Sequence, residues 1–275
     1  MVPYLCFKVE LYNNHCAFDG RPYRARSYRK RRIRHNGFQE LIFMITGIRS
    51  FDLPRDELCR KLGGGFPPGS IVVIEGGSGS GKSTVCQRLA YGLMENGSTV
   101  TYISTQLTTK GFINQMHSLN YGIASFLLKK QLLYIPVLSL MDPSATRLDF
   151  IERLRGAEAL FKNDVIIIDT ISSLIKHSVN MEKGLELISF FKRLTGISKT
   201  IILSIEPSEL ENHIHTEFFS SADINLTLKI STLGSNIKRT IIVNKFTGAS
   251  ASVESMIGFR IESNAGLVVE IASVS

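Results

Sequence analysis

A glycine-rich run in the first third of the chain has the residue types and spacing of a phosphate-binding loop. Residues 76–83 read Gly-Gly-Ser-Gly-Ser-Gly-Lys-Ser and fit the pattern G-x-x-x-x-G-K-[ST]. Glycines let the backbone turn its N–H groups toward a phosphate, and the N-terminus of a following helix adds a positive partial charge. The predicted nucleotide-binding residues of this loop are Gly76, Gly77, Ser78, Gly79, Ser80, Gly81, Lys82, Ser83 and Thr84.

The same run predicts which side chains contact a nucleotide and its metal. Lys82 is expected to reach the β- and γ-phosphates of ATP, and the Ser83 hydroxyl is expected to ligate Mg²⁺. One hydroxyl leaves the metal short of oxygen ligands, so a carboxylate at a neighbouring strand end is also needed. Asp169 follows four β-branched residues, 165–168, and ends a predicted buried strand where ligands bind in open α/β sheets. We therefore predict Ser83 and Asp169 as the Mg²⁺ ligands.

The pattern around these residues predicts the elements that position them. From Ile71 onward, apolar runs rich in Val and Ile alternate with helical patterns, which is typical of a parallel sheet covered by helices on both faces. The predicted strands span 71–75, 100–104, 132–137, 165–169 and 200–205, and the predicted helices span 82–95, 109–118, 145–161 and 184–195. Four further strands, at 225–230, 240–245, 258–262 and 267–271, follow one another through short turns. The predicted fold is an α/β P-loop core with a mostly parallel sheet and a C-terminal antiparallel β extension.

The net charge of the 275-residue chain is +8, but most of it precedes residue 44. Residues 1–43 hold nine Lys or Arg side chains and three acidic ones, a net charge of +6, and show no helical or strand periodicity. We expect a basic, disordered tail at 1–43 and one folded domain at 44–275. The same basic composition is compatible with an arm that binds polyanions, and with a start site assigned upstream of the natural one at Met44.

The sequence contains neither a membrane-spanning segment nor a secretion signal, which bears on the location of the protein in the cell. No apolar run approaches the roughly 20 residues that a membrane-spanning helix needs. The four cysteines show no CxxC spacing, and no signal peptide follows the basic N-terminus. We therefore expect a cytoplasmic protein whose association with any membrane is peripheral.

Two further segments carry a resemblance to a known family. Residues 62–70, Leu-Gly-Gly-Gly-Phe-Pro-Pro-Gly-Ser, resemble the segment that leads into the first strand of the RecA/KaiC group of ATPases. Residues 101–116 resemble more narrowly the archaeal flagellar (archaellum) accessory protein FlaH family, and the resemblance covers about residues 44–275. It implies a RecA-like domain that binds ATP and forms homo-oligomeric rings. It also implies a location at the cytoplasmic face of the membrane motor, with the archaellum motor ATPase and the membrane-platform proteins as partners.

The resemblance also bears on hydrolysis, because two catalytic positions depart from the KaiC-type pattern. Where KaiC-type members carry Glu-Glu after the second strand, this chain has Thr105 and Gln106, and Gln106 can orient a water but accepts a proton poorly. The Lys-x-Arg pair that reaches a neighbour's γ-phosphate appears here as Lys245-Phe-Thr247, which leaves Lys245 as a candidate contact across an interface. Glu206, after the fifth strand of the sequence, is either a substitute base or a strand-end cap. These features predict an ATP-binding regulatory component with at most weak ATPase activity.

The alternative function is a RecA/KaiC-type ATPase that acts in DNA recombination or repair. Such proteins need basic loops after the strand that ends in Asp169 and after the next strand, where they contact single-stranded DNA. Residues 207–219 contain three Glu and no Lys or Arg, so nucleic-acid binding by this domain is not expected. The same segment contains His213 and His215, which we interpret as surface residues rather than metal ligands.

Overall fold

The computed structural model describes residues 47–137, 150–233 and 236–270. The predicted tail at 1–43 lies outside these residues, as does the boundary proposed at Met44. The strands are β1 Ile71–Gly76, β2 Val100–Ser104, β3 Leu132–Pro136, β4 Val165–Asp169, β5 Thr200–Ile205, β6 Ile224–Leu233, β7 Asn236–Phe246, β8 Met256–Glu262 and β9 Gly266–Val269. The helices are α1 Leu58–Lys61, α2 Lys82–Glu95, α3 Thr109–Ser118, α4 Ala124–Leu128, α5 Phe150–Gly156, α6 Ile171–Ile175, α7 Met181–Gly196 and α8 Asn212–Ser221. Two 3₁₀ turns occupy Glu158–Phe161 and Pro207–Glu209.

All nine strands form one sheet in the order β3-β2-β4-β5-β1-β6-β7-β8-β9. The first six strands in this order pair in parallel, and β6 to β9 pair antiparallel through successive hairpins. This arrangement confirms the predicted parallel core and its antiparallel extension. Because β1 lies between β5 and β6, the loop that follows β1 opens at the middle of the sheet edge.

The central strands are buried on both faces, which explains their continuous apolar sequences. Successive side chains of a strand point to opposite faces, so each strand contributes to two separate cores. Val72 and Ile74 of β1 pack in the core that α2 covers, whereas Val73 packs in the core that α7 covers. The phosphate loop is therefore carried by a strand that is fixed from both sides.

Two helix predictions need correction. The helix predicted at 145–161 is divided: α5 ends at Gly156, and a 3₁₀ turn follows at Glu158–Phe161, while 145–149 lie outside the described residues. A glycine at that point lowers the helix propensity enough for the chain to turn. The helix predicted at 184–195 begins earlier, at Met181, because the Asn180 side chain accepts a hydrogen bond from the Lys183 backbone N–H at 2.9 Å.

A buried ion pair holds residues 51–56 against α2. The Arg88 guanidinium, which is fully buried, donates from Nε to the Asp56 carboxylate at 2.8 Å and from Nη1 to the Phe51 carbonyl at 2.6 Å. Asp56 has a side-chain exposure of only 1%. Both charges are thus removed from water and depend on each other.

Across residues 47–137, 150–233 and 236–270, no helix combines the length and the apolar character that a membrane crossing requires. This finding agrees with the absence of a long apolar run in the sequence.

Removing one member of the buried pair should destabilise the fold strongly. Arg88→Met is expected to lower the free energy of unfolding by about 3–5 kcal/mol, because Asp56 is left as an unpaired buried charge. Urea denaturation measures this change. Arg60→Met, which breaks an exposed pair with Glu57, is the matched control and should cost less than about 1 kcal/mol. Equal losses in the two variants would contradict a special role for the buried pair.

Candidate functional site

The predicted phosphate loop joins β1 directly to α2. Gly81 precedes the helix with a φ of +98°, a conformation that glycine adopts without strain. Gly76 has no room for a side chain, because a Cβ there would lie 2.6 Å from the Ser80 Oγ and 2.9 Å from the Leu228 carbonyl oxygen. Helix α2 is 14 residues long and begins at Lys82, so its free N–H groups and its dipole face the loop. This is the geometry that binds phosphate groups.

The Lys82 ammonium lies at the centre of the loop. It donates to the carbonyl oxygens of Gly76 at 2.6 Å and Gly77 at 3.0 Å, and to the Glu206 carboxylate at 2.7 Å. The Lys82 side chain is 8% exposed and that of Glu206 is 17% exposed, so solvent screens their attraction only partly. Glu206 is therefore more than a strand-end cap: it is the counter-ion of the loop lysine.

Asp169 ends β4 and is surrounded by hydroxyl groups from three other elements. Its carboxylate accepts hydrogen bonds from Ser83 of α2 at 3.1 Å, Tyr102 of β2 at 3.0 Å and Ser204 of β5 at 2.9 Å. Burial raises the pKa of the Asp169 carboxyl, while these three hydrogen bonds and the charge of Lys82 act in the opposite direction. The structure thus brings together the two predicted Mg²⁺ ligands, Ser83 and Asp169.

A cleft of about 550 Å³ opens above the loop. The catalytic candidates Gln106 and Glu206 both line this cleft, together with Thr84 at the start of α2. Gln106 is exposed. The neighbouring Thr105 is buried, and the Thr105 hydroxyl has no hydrogen-bond partner among the described residues. The cleft wall is completed by Ser78, Gly79, Gly81, Lys82, Ser83, Thr170, Ser173, Ser208, Glu209 and Ile261.

Lys245 lies away from this cleft. It pairs with Asn225 near the start of β6, whereas the phosphate-loop end of β1 pairs with Leu228. The Lys245 ammonium donates to the Ala222 carbonyl at 2.5 Å, so it binds the carbonyl that follows α8. Lys245 does not line the cleft of its own chain. Its contact with the nucleotide of a neighbouring protomer stays a prediction.

Several polar residues near the loop are not predicted from the sequence. Tyr102 and Ser204 are polar residues within apolar strands, and that contrast is the signal that could have identified them as partners of Asp169. The interpretation of His215 as a surface residue is incomplete, because its Nε2 lies 2.7 Å from the carboxylate of Glu75, the residue before the phosphate loop. Within the described ranges, no group of three or more His, Cys, Asp or Glu residues is arranged to hold a metal.

The donor set of the cleft fits Mg²⁺ together with a polyphosphate. A hydroxyl and a carboxylate oxygen within hydrogen-bond distance of each other are the hard ligands that Mg²⁺ prefers, with further positions supplied by water and phosphate. Lys82 is the cation of the loop, whereas Glu206 and Glu209 line the cleft and the buried Asp169 carboxylate accepts a hydrogen bond from the lining residue Ser83. A divalent cation at Ser83 and Asp169 would offset part of this negative charge.

Comparison with a family model agrees with this geometry. The model described as "ATPase: KaiC" matches residues 44–273 of the chain. A crystal structure of a KaiC-like protein from the archaeon Pyrococcus horikoshii is 21% identical, covers 82% of this chain and 100% of its own, and superposes with a TM-score of 0.63. At that identity the likeness concerns the fold, and it confirms the RecA/KaiC-like arrangement.

More similar proteins define a narrower group. The archaeal flagellar ATP-binding protein FlaH of Methanocaldococcus jannaschii is 42% identical over 231 residues, 84% of this chain and 99% of its own length. That of Methanococcus voltae is 36% identical over 224 residues, 82% of this chain and 97% of its own. The crystal structure of flagellar accessory protein FlaH from M. jannaschii covers 82% of this chain and 100% of its own, with a TM-score of 0.76. These matches confirm the resemblance seen in the sequence, and the chain belongs to the FlaH family of archaeal flagellar ATP-binding proteins within the KaiC-like ATPases.

Proposed function

We propose that this protein binds Mg-ATP and uses ATP occupancy to control its assembly in the archaeal flagellar motor. The observation that carries the proposal is the intact phosphate loop, with Lys82 at its centre and Ser83 beside a buried Asp169. In this site Lys82 would compensate the β- and γ-phosphate charge, and Ser83 and Asp169 would hold the metal. A bound Mg²⁺ would supply positive charge that offsets the acidic surroundings of the cleft.

The proposal includes slow or absent hydrolysis. Gln106 stands where KaiC-type ATPases carry a glutamate that serves as general base. An amide cannot take a proton from the attacking water as a carboxylate can. Glu206 has the required chemistry, but its carboxylate is already bound to Lys82 at 2.7 Å. To act on a water, the Glu206 carboxylate would first have to leave this ammonium.

The proposed partners follow from the family. We infer that the protein forms a homo-oligomeric ring and contacts the archaellum motor ATPase and the membrane-platform proteins at the cytoplasmic face of the membrane. The absence of a membrane-spanning helix among the described residues is consistent with peripheral attachment. A nucleotide can change such assembly only by the difference in its affinity for the two assembly states.

Association should depend on ATP. Light scattering of the full chain is expected to show a change in mass when Mg-ATP is added, because the assembled and free forms bind ATP with different affinity. Lys82→Ala should abolish both ATP binding and the mass change, since the β/γ charge is then uncompensated. The matched control is Lys199→Ala, whose ammonium binds the Lys162 carbonyl at the opposite end of the strands. A wild-type mass indifferent to ATP would reject the proposed control of assembly.

Asp169 should matter for the metal more than for the phosphates. In Asp169→Asn, Mg-ATP affinity is expected to fall roughly tenfold or more, whereas ATP affinity in EDTA should stay within about twofold, because the side chain ligates Mg²⁺. Isothermal titration with and without Mg²⁺ measures both constants. An equal loss in the two conditions would mean that Asp169 acts on nucleotide binding only through the fold, and a thermal melt of the variant shows whether the fold is retained.

Turnover should be slow. The steady-state rate is expected to lie well below about 1 s⁻¹, the lower end of typical enzymes, because position 106 lacks a carboxylate. Gln106→Glu should raise the rate, and phosphate release measured at saturating Mg-ATP detects the change. Gln106→Ala is the companion variant and should not raise it. A wild-type rate of many per second would contradict this prediction and favour Glu206 as an active base.

A further inference from the structure

The Lys82 ammonium has no spare hydrogen bond to offer. An ammonium carries three N–H donors. In the structure they face three acceptors, the carbonyl oxygens of Gly76 and Gly77 and the Glu206 carboxylate, at 2.6, 3.0 and 2.7 Å. A phosphate that approaches Lys82 must therefore replace one of these partners.

The three acceptors differ in how readily they can leave. Gly76 is the last residue of β1 and pairs with Leu228 of β6, so its carbonyl is held by the sheet. Glu206 approaches Lys82 with a side chain that can rotate, while its backbone N–H stays bound to the Ser172 hydroxyl at 2.9 Å. The Gly77 carbonyl is held within the loop, where it also accepts a hydrogen bond from the Ser80 backbone N–H at 3.1 Å. We therefore expect Glu206 to be the partner that an incoming phosphate displaces.

The phosphate that competes with Glu206 is the terminal one of a triphosphate. Lysine and Mg²⁺ of a phosphate loop act together on the β- and γ-phosphates, and the γ-phosphate brings a second anion to the ammonium that Glu206 already occupies. The Lys82 and Glu206 side chains are only 8% and 17% exposed, so repulsion between Glu206 and a phosphate bound at Lys82 would be only partly screened by solvent. A diphosphate lacks this group, and the backbone N–H groups of the loop can hold its β-phosphate without a hydrogen bond from Lys82.

We propose that Glu206 is the residue through which this site distinguishes a nucleoside triphosphate from a diphosphate. ATP displaces the Glu206 carboxylate from Lys82, and ADP leaves the pair in place. The inference rests on the proposed function, in that it requires the cleft to bind Mg-ATP. It assigns Glu206 a specificity-determining role and not the role of a catalytic base.

The segment that follows Glu206 is held in place, so we expect only the Glu206 side chain to move when ATP binds. The Glu209 carboxylate accepts hydrogen bonds from Ser172 at 2.8 Å and Ser173 at 2.7 Å, and it pairs with Lys176 at 3.0 Å. These contacts bind the 3₁₀ turn after β5 to α6. Glu206 can therefore release Lys82 without unfolding its own segment.

The test compares Mg-ATP and Mg-ADP affinities of the full chain by isothermal titration. Glu206→Gln keeps the size of the side chain and removes its charge, and it is expected to tighten Mg-ATP binding about tenfold, while Mg-ADP affinity changes by less than about twofold. Glu211→Gln is the matched control: it removes a carboxylate from the same segment, but Glu211 is exposed and its carboxylate pairs with His213. The control should leave both affinities unchanged.

Two results would overturn the inference. Weaker Mg-ATP binding in Glu206→Gln would mean that Glu206 positions Lys82 for the phosphate, and equal tightening for both nucleotides would mean that it acts only through the net charge of the cleft. Either result would leave the proposed binding of Mg-ATP intact. Failure of the wild-type chain to bind Mg-ATP, by contrast, would reject the proposed function and this inference together.

Discussion

The free energy cost of burying one carboxylate, that of Asp169, constrains the rest of the site. An unpaired charge in this position would be very unfavourable, so each neighbouring element supplies a hydroxyl donor. Ser83 comes from α2, Tyr102 from β2 and Ser204 from β5. The same bonds that satisfy Asp169 therefore fix the relative positions of the phosphate loop and the two strands beside β4. The residue predicted to ligate Mg²⁺ thus also joins these elements of the fold.

The parallel arrangement of the strands gives the sheet two chemically different edges. The carboxyl ends of β1, β4 and β5 meet at one edge, and Lys82, Asp169 and Glu206 lie at or just after those ends. At the opposite edge, the ion pair between Arg49 and Asp164 has its charged atoms 3.8 Å apart. Hydrogen bonds from Thr99 and the charges of Arg49 and Lys199 lower the pKa of Asp164, although burial opposes this. Charges at this second edge pair with each other, whereas Lys82 and Glu206 at the first edge line the cleft.

The sequence allowed prediction of the features that depend on local pattern. The loop from Gly76 to Ser83 is a contiguous motif, and Asp169 ends a run of β-branched residues, so both could be placed without tertiary information. The counter-ion role of Glu206 could not, because its partner Lys82 is 124 residues away in the chain. The contact of His215 escaped prediction for the same reason, since only the fold brings it to Glu75. These contacts depend on the order of the strands and the direction of single side chains, which the pattern of apolar and polar residues left open.

The buried contact between α2 and residues 51–56 has a consequence for the nucleotide site at the start of the same helix. Gly92 lies in α2, and a Cβ there would be 2.4 Å from the Phe51 carbonyl oxygen, so residues 51–56 contact the helix backbone directly. The Arg88–Asp56 ion pair holds them in this position. Helix α2 cannot slide or turn without separating buried charges. The first turn of the same helix carries Lys82 and Ser83, so folding itself places these two side chains at the cleft and no rearrangement of α2 is needed to present them.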